Sequence, residues 1–352
     1  MTPAEPGTEV PRVSRRPDEA PTRVAVLGAG SWGTTFAKVL ADGGSSVSLW
    51  ARRPELAREI SQSKRNSDYL PGINLPRALW ASAKLPEVLD GAEQVYLSVP
   101  SQSLRENLRI VRDLIPSDAL VVSLMKGVEK GSGARMSEVI LQELGVDPGR
   151  VAVASGPNLA LEIAKEQPTA AVVSSESLDT ATIIAATATN AYFRSFTNTD
   201  VIGTEFGGVL KNLIAVAIGI VDGVGYGENT KASIITRGLA EMTDFAVAYG
   251  GKAETLAGLA GLGDLIATCE SSLSRNNAAG RLLGQGYSFT EVIKQMNQTA
   301  EGLSSVAPVL ALARARGVDM PIVRQVAEVL AGTLAPRDIA PHLTTDEYPQ
   351  GE

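Results

Sequence analysis

Residues Arg23–Lys38 read RVAVLGAGSWGTTFAK. An apolar run ends at Leu27, glycines follow at Gly28, Gly30 and Gly33, and an apolar-periodic stretch occupies Trp32 to Ala41. The run predicts a strand and the periodicity a helix. The glycine spacing between them gives each glycine a task. The first permits the tight turn, the second lets a pyrophosphate approach the backbone, and the third lets helix and strand pack closely. The helix start adds unpaired N–H groups and a positive dipole end. Glycines at this spacing also occur in plain tight turns. Strand, loop and helix together, at the head of an α/β segment, point to a nicotinamide dinucleotide.

Outward from this unit, strands are expected at Val47–Trp50, Gln94–Val99, Leu120–Leu124, Val151–Ala154 and Thr169–Val173, with a helix from Pro54 and helical segments between most of the others. That alternation predicts a mostly parallel sheet covered on both faces. From about Gly203 the pattern becomes helical, interrupted by glycine clusters such as Gly258 to Gly263. The fold class expected is α/β, an N-terminal Rossmann-type sheet followed by an all-helical C-terminal domain. The corresponding division is an extension over 1–22, a dinucleotide domain over 23–200, a helical substrate domain over 201–338 and a tail over 339–352.

Composition narrows the function. The chain has 352 residues, 44% of them hydrophobic, enough for two full cores. A net charge of −7 offers no field for a nucleic-acid backbone. The one cysteine, Cys269, excludes an intramolecular disulfide and a multi-cysteine metal site, so no metal is expected and a reducing cytoplasm fits. Residues 1–22 are proline-rich and lack an apolar core, which predicts a disordered extension rather than a signal peptide. The most membrane-like run, Val209 to Val224, contains Lys211, Asn212 and Asp222 and is shorter than a spanning helix needs. It is read as a buried core helix, with no membrane insertion. A homodimer is compatible with the sequence, which does not decide the oligomeric state.

The only histidine, His342, sits in the C-terminal tail. Proton transfer is therefore expected from lysine, a carboxylate or tyrosine. Lys211 lies inside an otherwise apolar helical run, where burial disfavours the ammonium and makes it a usable acid–base group. Lys126 closes a strand, at the edge where open α/β sheets bind ligands, or is a surface lysine. Gly156, Asn158 and Ala160 belong to a turn opening a helix, a candidate anion contact. Asp264 follows a glycine-rich loop and either caps a helix or holds a nearby ammonium. Ser274, Arg275 and Asn276 open a short helix and suit a phosphate or carboxylate. The second strand ends at Arg52 and Arg53, with no acid until Glu55. Arginine pairs with a 2′-phosphate and offers a ribose hydroxyl no acceptor, so NADPH is favoured over NADH.

The segments VAVLGAGSWGTTFA, YLPGINLP, SLMKGVE, ASGPNLA, GGVLKNLIAVAIGIVDG, GLAGLGDLIATC, SRNNAAGRLLGQG and AEGL occur in this order. On them the chain resembles bacterial NAD(P)-dependent glycerol-3-phosphate dehydrogenase from about residue 23 to 335. The resemblance implies interconversion of dihydroxyacetone phosphate and sn-glycerol 3-phosphate, a precursor of membrane phospholipids. It implies Lys211 as the acid–base residue. Ser31, Trp32, Arg52, Arg53, Lys126, Ala160, Arg275 and Glu301 would lie against the cofactor. Thr299 is added to them, at a position where the family commonly carries an aliphatic residue. Lys126, Gly156, Asn158, Lys211, Asp264, Ser274, Arg275 and Asn276 would line the substrate. Asn158 departs from the family's usual serine, and an amide can still donate and accept. Two rivals are a related two-domain reductase of a β-hydroxyacid and a nucleotide-sensing protein without catalysis. The second could dispense with Lys126, Lys211 and Asp264, all of which are present.

Overall fold

The computed structural model of the chain describes residues 20–271, 273–296 and 301–339. Its strands are β1 Arg23–Leu27, β2 Ser46–Trp50, β3 Leu79–Ser82, β4 Gln94–Leu97, β5 Leu120–Ser123, β6 Val151–Ser155, β7 Thr169–Ser175 and β8 Phe193–Asn198. They form one sheet in the order β3-β2-β1-β4-β5-β6-β7-β8. All neighbours run parallel except β6 and β7, whose antiparallel register pairs Ala152 with Ser175. A mostly parallel sheet was the expectation, and six of its strands stand where apolar runs pointed. The sequence reading passed over β3 and β8. β3 is only four residues long and follows a proline-broken segment. β8 is an edge strand, FRSFTN, with one residue in the core, so it carries no continuous apolar run.

Helices α1 Ser31–Asp42, α2 Pro54–Ser63, α3 Leu85–Leu89, α4 Leu104–Val111, α5 Met136–Leu144, α6 Ala160–Ala164 and α7 Leu178–Ala188 connect these strands. Successive residues of β1 point to opposite faces, so Val24 and Val26 enter one core while Ala25 and Leu27 enter the other. Both faces of the sheet are therefore covered.

Among the described residues the last strand ends at Asn198 and the elements after it are helices: α8 Val201–Val224, α9 Glu228–Ala248, α10 Ala253–Ala257, α11 Asp264–Glu270, α12 Arg275–Gly284, α13 Phe289–Gln295, α14 Glu301–Ala315 and α15 Pro321–Ala331. α8 organises this half. Asp200 caps its start by accepting the Gly203 N–H at 2.8 Å, and Gly225, left-handed at φ 92°, ends it. The helix has 24 residues, so the expected run was only part of it and shortness is no argument against a membrane span. Burial is the argument. Side chains are buried all round the helix from Gly203 to Val221, as in the central helix of a core.

α12 crosses α8 backbone to backbone. A Cβ added at Gly219 or Gly223 would lie 2.1 or 2.3 Å from the carbonyls of Asn277 and Arg281. One at Gly280 or Gly284 would lie 2.2 Å from those of Val216 and Ile220. These four glycines allow the two axes to meet, and they bring the start of α12 beside the middle of α8.

Candidate active site

The sheet order reverses between β1 and β4, and open α/β sheets bind ligands beyond their carboxyl ends at such a point. The turn after β1 occupies it. Gly28 adopts φ 120°, and a Cβ there would sit 2.2 Å from the Ser98 carbonyl that follows β4. A Cβ on Gly33 would sit 1.9 Å from the Gly28 carbonyl. On Gly30 it would meet nothing within 4 Å. Two glycines are therefore required by the protein's own packing, whereas Gly30 faces open space at the start of α1, where the first N–H groups lack helical acceptors. Ser31 opens α1, and the buried Trp32 Nε1 has no hydrogen-bond partner among the described residues. The arrangement fits a dinucleotide pyrophosphate.

At the end of β2, Arg52 and Arg53 are exposed. Arg53 is hydrogen-bonded to Asp68 and lies 4.0 Å from Glu55, while Arg52 remains beside it. Sequence order offered Glu55 as the nearest acid. The fold brings a second, Asp68, from the loop after α2.

The residues of the expected chemistry converge on one carboxylate. Lys126 follows β5 and Asp264 is the first residue of α11; Lys126 Nζ donates to Asp264 Oδ2 at 2.5 Å and to the Gly156 carbonyl at 3.1 Å. Lys211, in the middle of α8, donates to Asp264 Oδ1 at 2.9 Å and to Thr268 Oγ1 at 2.6 Å. Asp264 and Thr268 are four residues apart in α11 and share a face, and the threonine hydroxyl also donates to the Asp264 carbonyl at 2.7 Å. Asp264 is 1% exposed and Lys211 7%. Buried charges are tolerated when paired and hydrogen-bonded, and this cluster satisfies that rule with two ammoniums on one carboxylate. Asp264 is thus no mere helix cap, and Lys211 is buried rather than extended to solvent.

Glycines make this approach possible too. A Cβ on Gly207 would lie 2.4 Å from the Ala260 carbonyl, in the π-helical turn Leu259–Gly263 that precedes Asp264. One on Gly208 would lie 3.0 Å from Ser155 Oγ and 3.2 Å from Lys126 Cγ. α8 therefore rests directly on the carboxyl ends of β5 and β6. Just beyond β6, Gly156 adopts φ 132° and Asn158 buries both amide atoms without a partner among the described residues. Ser155 Oγ is in the same condition. Three unsatisfied polar atoms in one crevice are costly unless a ligand completes them. Ala160 opens α6, and its carbonyl accepts the Thr35 hydroxyl of α1 at 3.2 Å, tying this turn to the helix that follows the glycine loop.

At α12, Ser274 is buried and its Oγ accepts the Asn277 N–H at 3.2 Å. Arg275 is exposed on the first turn. Asn276 donates to Asn212 Oδ1 at 2.9 Å and accepts the Gly302 N–H at 3.0 Å, which binds α12 to α8 and α14. Ser274 does cap its helix, as a plain structural reading holds, and Asn276 commits its Oδ1 and one Nδ2 hydrogen to the protein. Glu301 begins α14; its side chain, Thr299 and His342 lie outside the described residues. The sequence reading has Asn212 and Ser155 only as neighbours in the Lys211-Asn212 and Ser155-Gly156 segments, with no role of their own, and does not single out Thr268. Thr268 had a signal, its i+4 spacing from Asp264. Cys269 beside it is buried, which pushes its thiol up to about 12, so no thiolate takes part near neutrality.

Two family models cover this chain. The NAD-dependent glycerol-3-phosphate dehydrogenase N-terminus matches residues 23–181 and the C-terminus of the same family matches residues 200–341. A glycerol-3-phosphate dehydrogenase [NAD(P)+] of Leifsonia xyli subsp. xyli is 75% identical over 93% of this chain and 89% of its own length. That of Frankia casuarinae is 53% identical over 92% and 97%. Among solved structures, glycerol-3-phosphate dehydrogenase from Coxiella burnetii superposes with a TM-score of 0.86 at 38% identity, covering 92% of this chain and 99% of that one. With both halves matched by the family's models and these relatives alike along most of its length, the chain belongs to the NAD-dependent glycerol-3-phosphate dehydrogenase family.

Proposed function

We propose that the chain reduces dihydroxyacetone phosphate to sn-glycerol 3-phosphate with NADPH or NADH, reversibly, and supplies glycerophospholipid synthesis. The observation that carries the mechanism is the shared carboxylate. Asp264 holds Lys126 and Lys211 at 2.5 and 2.9 Å on its two oxygens, in a buried site. Bound NAD(P)H supplies the hydride. The chain supplies position, charge and a proton.

Lys211 is the proton donor at Nζ. As C2 of the substrate gains a hydride its oxygen becomes an alkoxide, and Lys211 protonates it. In the reverse direction the same nitrogen takes the proton from the hydroxyl. Asp264 and Thr268 fix the ammonium so that one N–H stays available. Lys126 adds positive charge where negative charge develops, a stabilisation that strengthens in a site shielded from water. Arg275, Ser274 and Asn276 at the start of α12 grip the substrate phosphate, and Gly156 and Asn158 complete the contact from the sheet. Gly28, Gly30, Ser31, Trp32 and Gly33 hold the pyrophosphate end of the cofactor. Arg52 and Arg53 meet a 2′-phosphate, which favours NADPH, and Ala160, Thr299 and Glu301 complete the cofactor contacts. The functional units run over 23–200 and 201–338, and the cytoplasm is the working location.

The test is oxidation of NADPH and NADH by the purified chain with dihydroxyacetone phosphate, beside a panel of 2- and 3-keto acids. Turnover on the triose phosphate alone, faster with NADPH, is the expected result. Preference for a keto acid would favour a β-hydroxyacid reductase, and tight cofactor binding without turnover a nucleotide sensor.

A further inference from the structure

One fully buried side chain at the cofactor turn has no part in the mechanism above. Asn66, 0% exposed, lies in the loop between α2 and β3. Its Nδ2 donates to the Ala29 carbonyl at 3.0 Å and to Thr34 Oγ1 at 2.8 Å. Its Oδ1 accepts the Tyr69 N–H at 3.3 Å. The orientation follows from chemistry, because the Ala29 carbonyl can only accept and the Tyr69 amide can only donate.

The loop that carries Asn66 is itself anchored. Lys64 ends α2 in the left-handed conformation and its Nζ donates to the Leu79 carbonyl at 2.6 Å. Ser67 donates through both N–H and hydroxyl to Glu59, and Leu70 is buried in the core. Asn66 is thus a fixed post and the glycine turn leans on it.

We infer that Asn66 is a positioning residue for the cofactor, orienting the Ala29–Gly30 peptide so that the Gly30 N–H serves the pyrophosphate. A trans peptide is planar, with its C=O and N–H on opposite sides. Holding the Ala29 oxygen inward on Asn66 turns the Gly30 N–H away from it, on the residue that opens onto empty space. The bond to Thr34, on the first turn of α1, fixes the helix start to the same post. Without the amide, the peptide is free to rotate and the buried carbonyl loses its donor. The inference rests on the reading that this turn binds the pyrophosphate.

Because NADPH and NADH share that group, the signature is a common one. In Asn66→Ala, Kd for both cofactors rises about tenfold by the same factor, as loss of a buried hydrogen bond predicts. Their ratio, the KM for dihydroxyacetone phosphate and kcat at saturating cofactor stay near the parent values. A purely structural role would lower Tm and leave both Kd values unchanged, and that result overturns the inference. Should Asn66→Ala not fold, Thr34→Val carries the test, since it keeps the size and removes one acceptor. A rise of about threefold for both cofactors is then expected, and no rise overturns it. Gly30→Ala separates the two layers. If it keeps full cofactor affinity, the pyrophosphate reading fails; if it loses affinity while Asn66→Ala does not, only Asn66 is wrongly assigned.

Discussion

The turn from Gly28 to Gly33 is six consecutive residues acting through backbone, whereas Lys126, Lys211 and Asp264 come from separate segments, up to 138 residues apart, and act through buried charge. The first is made by omitting side chains: Gly28 and Gly33 are the only residues the packing accepts there. The second is made by side chains that burial would penalise if they stood alone. Lys211 is tolerated because Asp264 and Thr268 reach it, and they reach it because Gly207 lets the preceding turn close on α8. The second, on which the proposed chemistry rests, depends on the packing of the helical half.

That contrast is broken most severely at the shared carboxylate. Asp264→Asn removes the carboxylate that Lys126 and Lys211 share. Stability should fall by roughly 3–5 kcal/mol, the usual consequence of splitting a buried pair, and kcat by about two powers of ten or more, with cofactor Kd nearly unchanged. Denaturant melts and steady-state kinetics read both, and a mild loss of either would deny the cluster its place. A second carboxyl of the helical half sharpens the comparison through pH. Glu241 of α9 is buried and accepts the Ile322 N–H at 2.7 Å, and burial pushes its carboxyl up to about 7. The folded state then holds a proton that the unfolded chain releases near 4.5. The stabilisation is complete below pH 4.5 and is lost as pH rises to about 7, by up to about 3 kcal/mol. Glu241→Gln should abolish that slope, and parallel stability curves for the two proteins would count against it.

The cofactor side predicts smaller, ligand-specific effects. Arg52→Ala should lower kcat/KM for NADPH about tenfold, the worth of one charge-assisted contact, and leave NADH within twofold or so. Equal losses would mean that Arg52 does not read the 2′-phosphate. Asp68→Asn releases Arg53 and should raise the preference for NADPH by only about threefold, since exposed ion pairs contribute little. A shift towards NADH would reverse the reading.

The two regions also differ in how far the sequence disclosed them. The glycine turn was legible because its residues are contiguous and each spacing has one geometric cause. Lys211 was legible as an anomaly, a charge in an apolar helix, but its partners were not. Nothing local ties residue 211 to 264 or 126; family likeness grouped them and three-dimensional packing joined them. Thr268 escaped although its helical spacing was in view, and Asn66 escaped because a polar residue in a loop carries no mark of burial. Strand β8 was missed for the same reason in reverse: an edge strand exposes most of its side chains and shows no apolar run.

In the proposed mechanism Lys211 gives the proton while the glycine turn only holds the cofactor. Lys211→Met, which keeps length and removes charge, tests it in a single-turnover measurement of NADPH oxidation with saturating dihydroxyacetone phosphate. The expected result is a cofactor Kd within about twofold of the parent and a hydride-transfer rate lower by roughly 10²–10⁴-fold. Near-normal transfer in a folded Lys211→Met protein would contradict it.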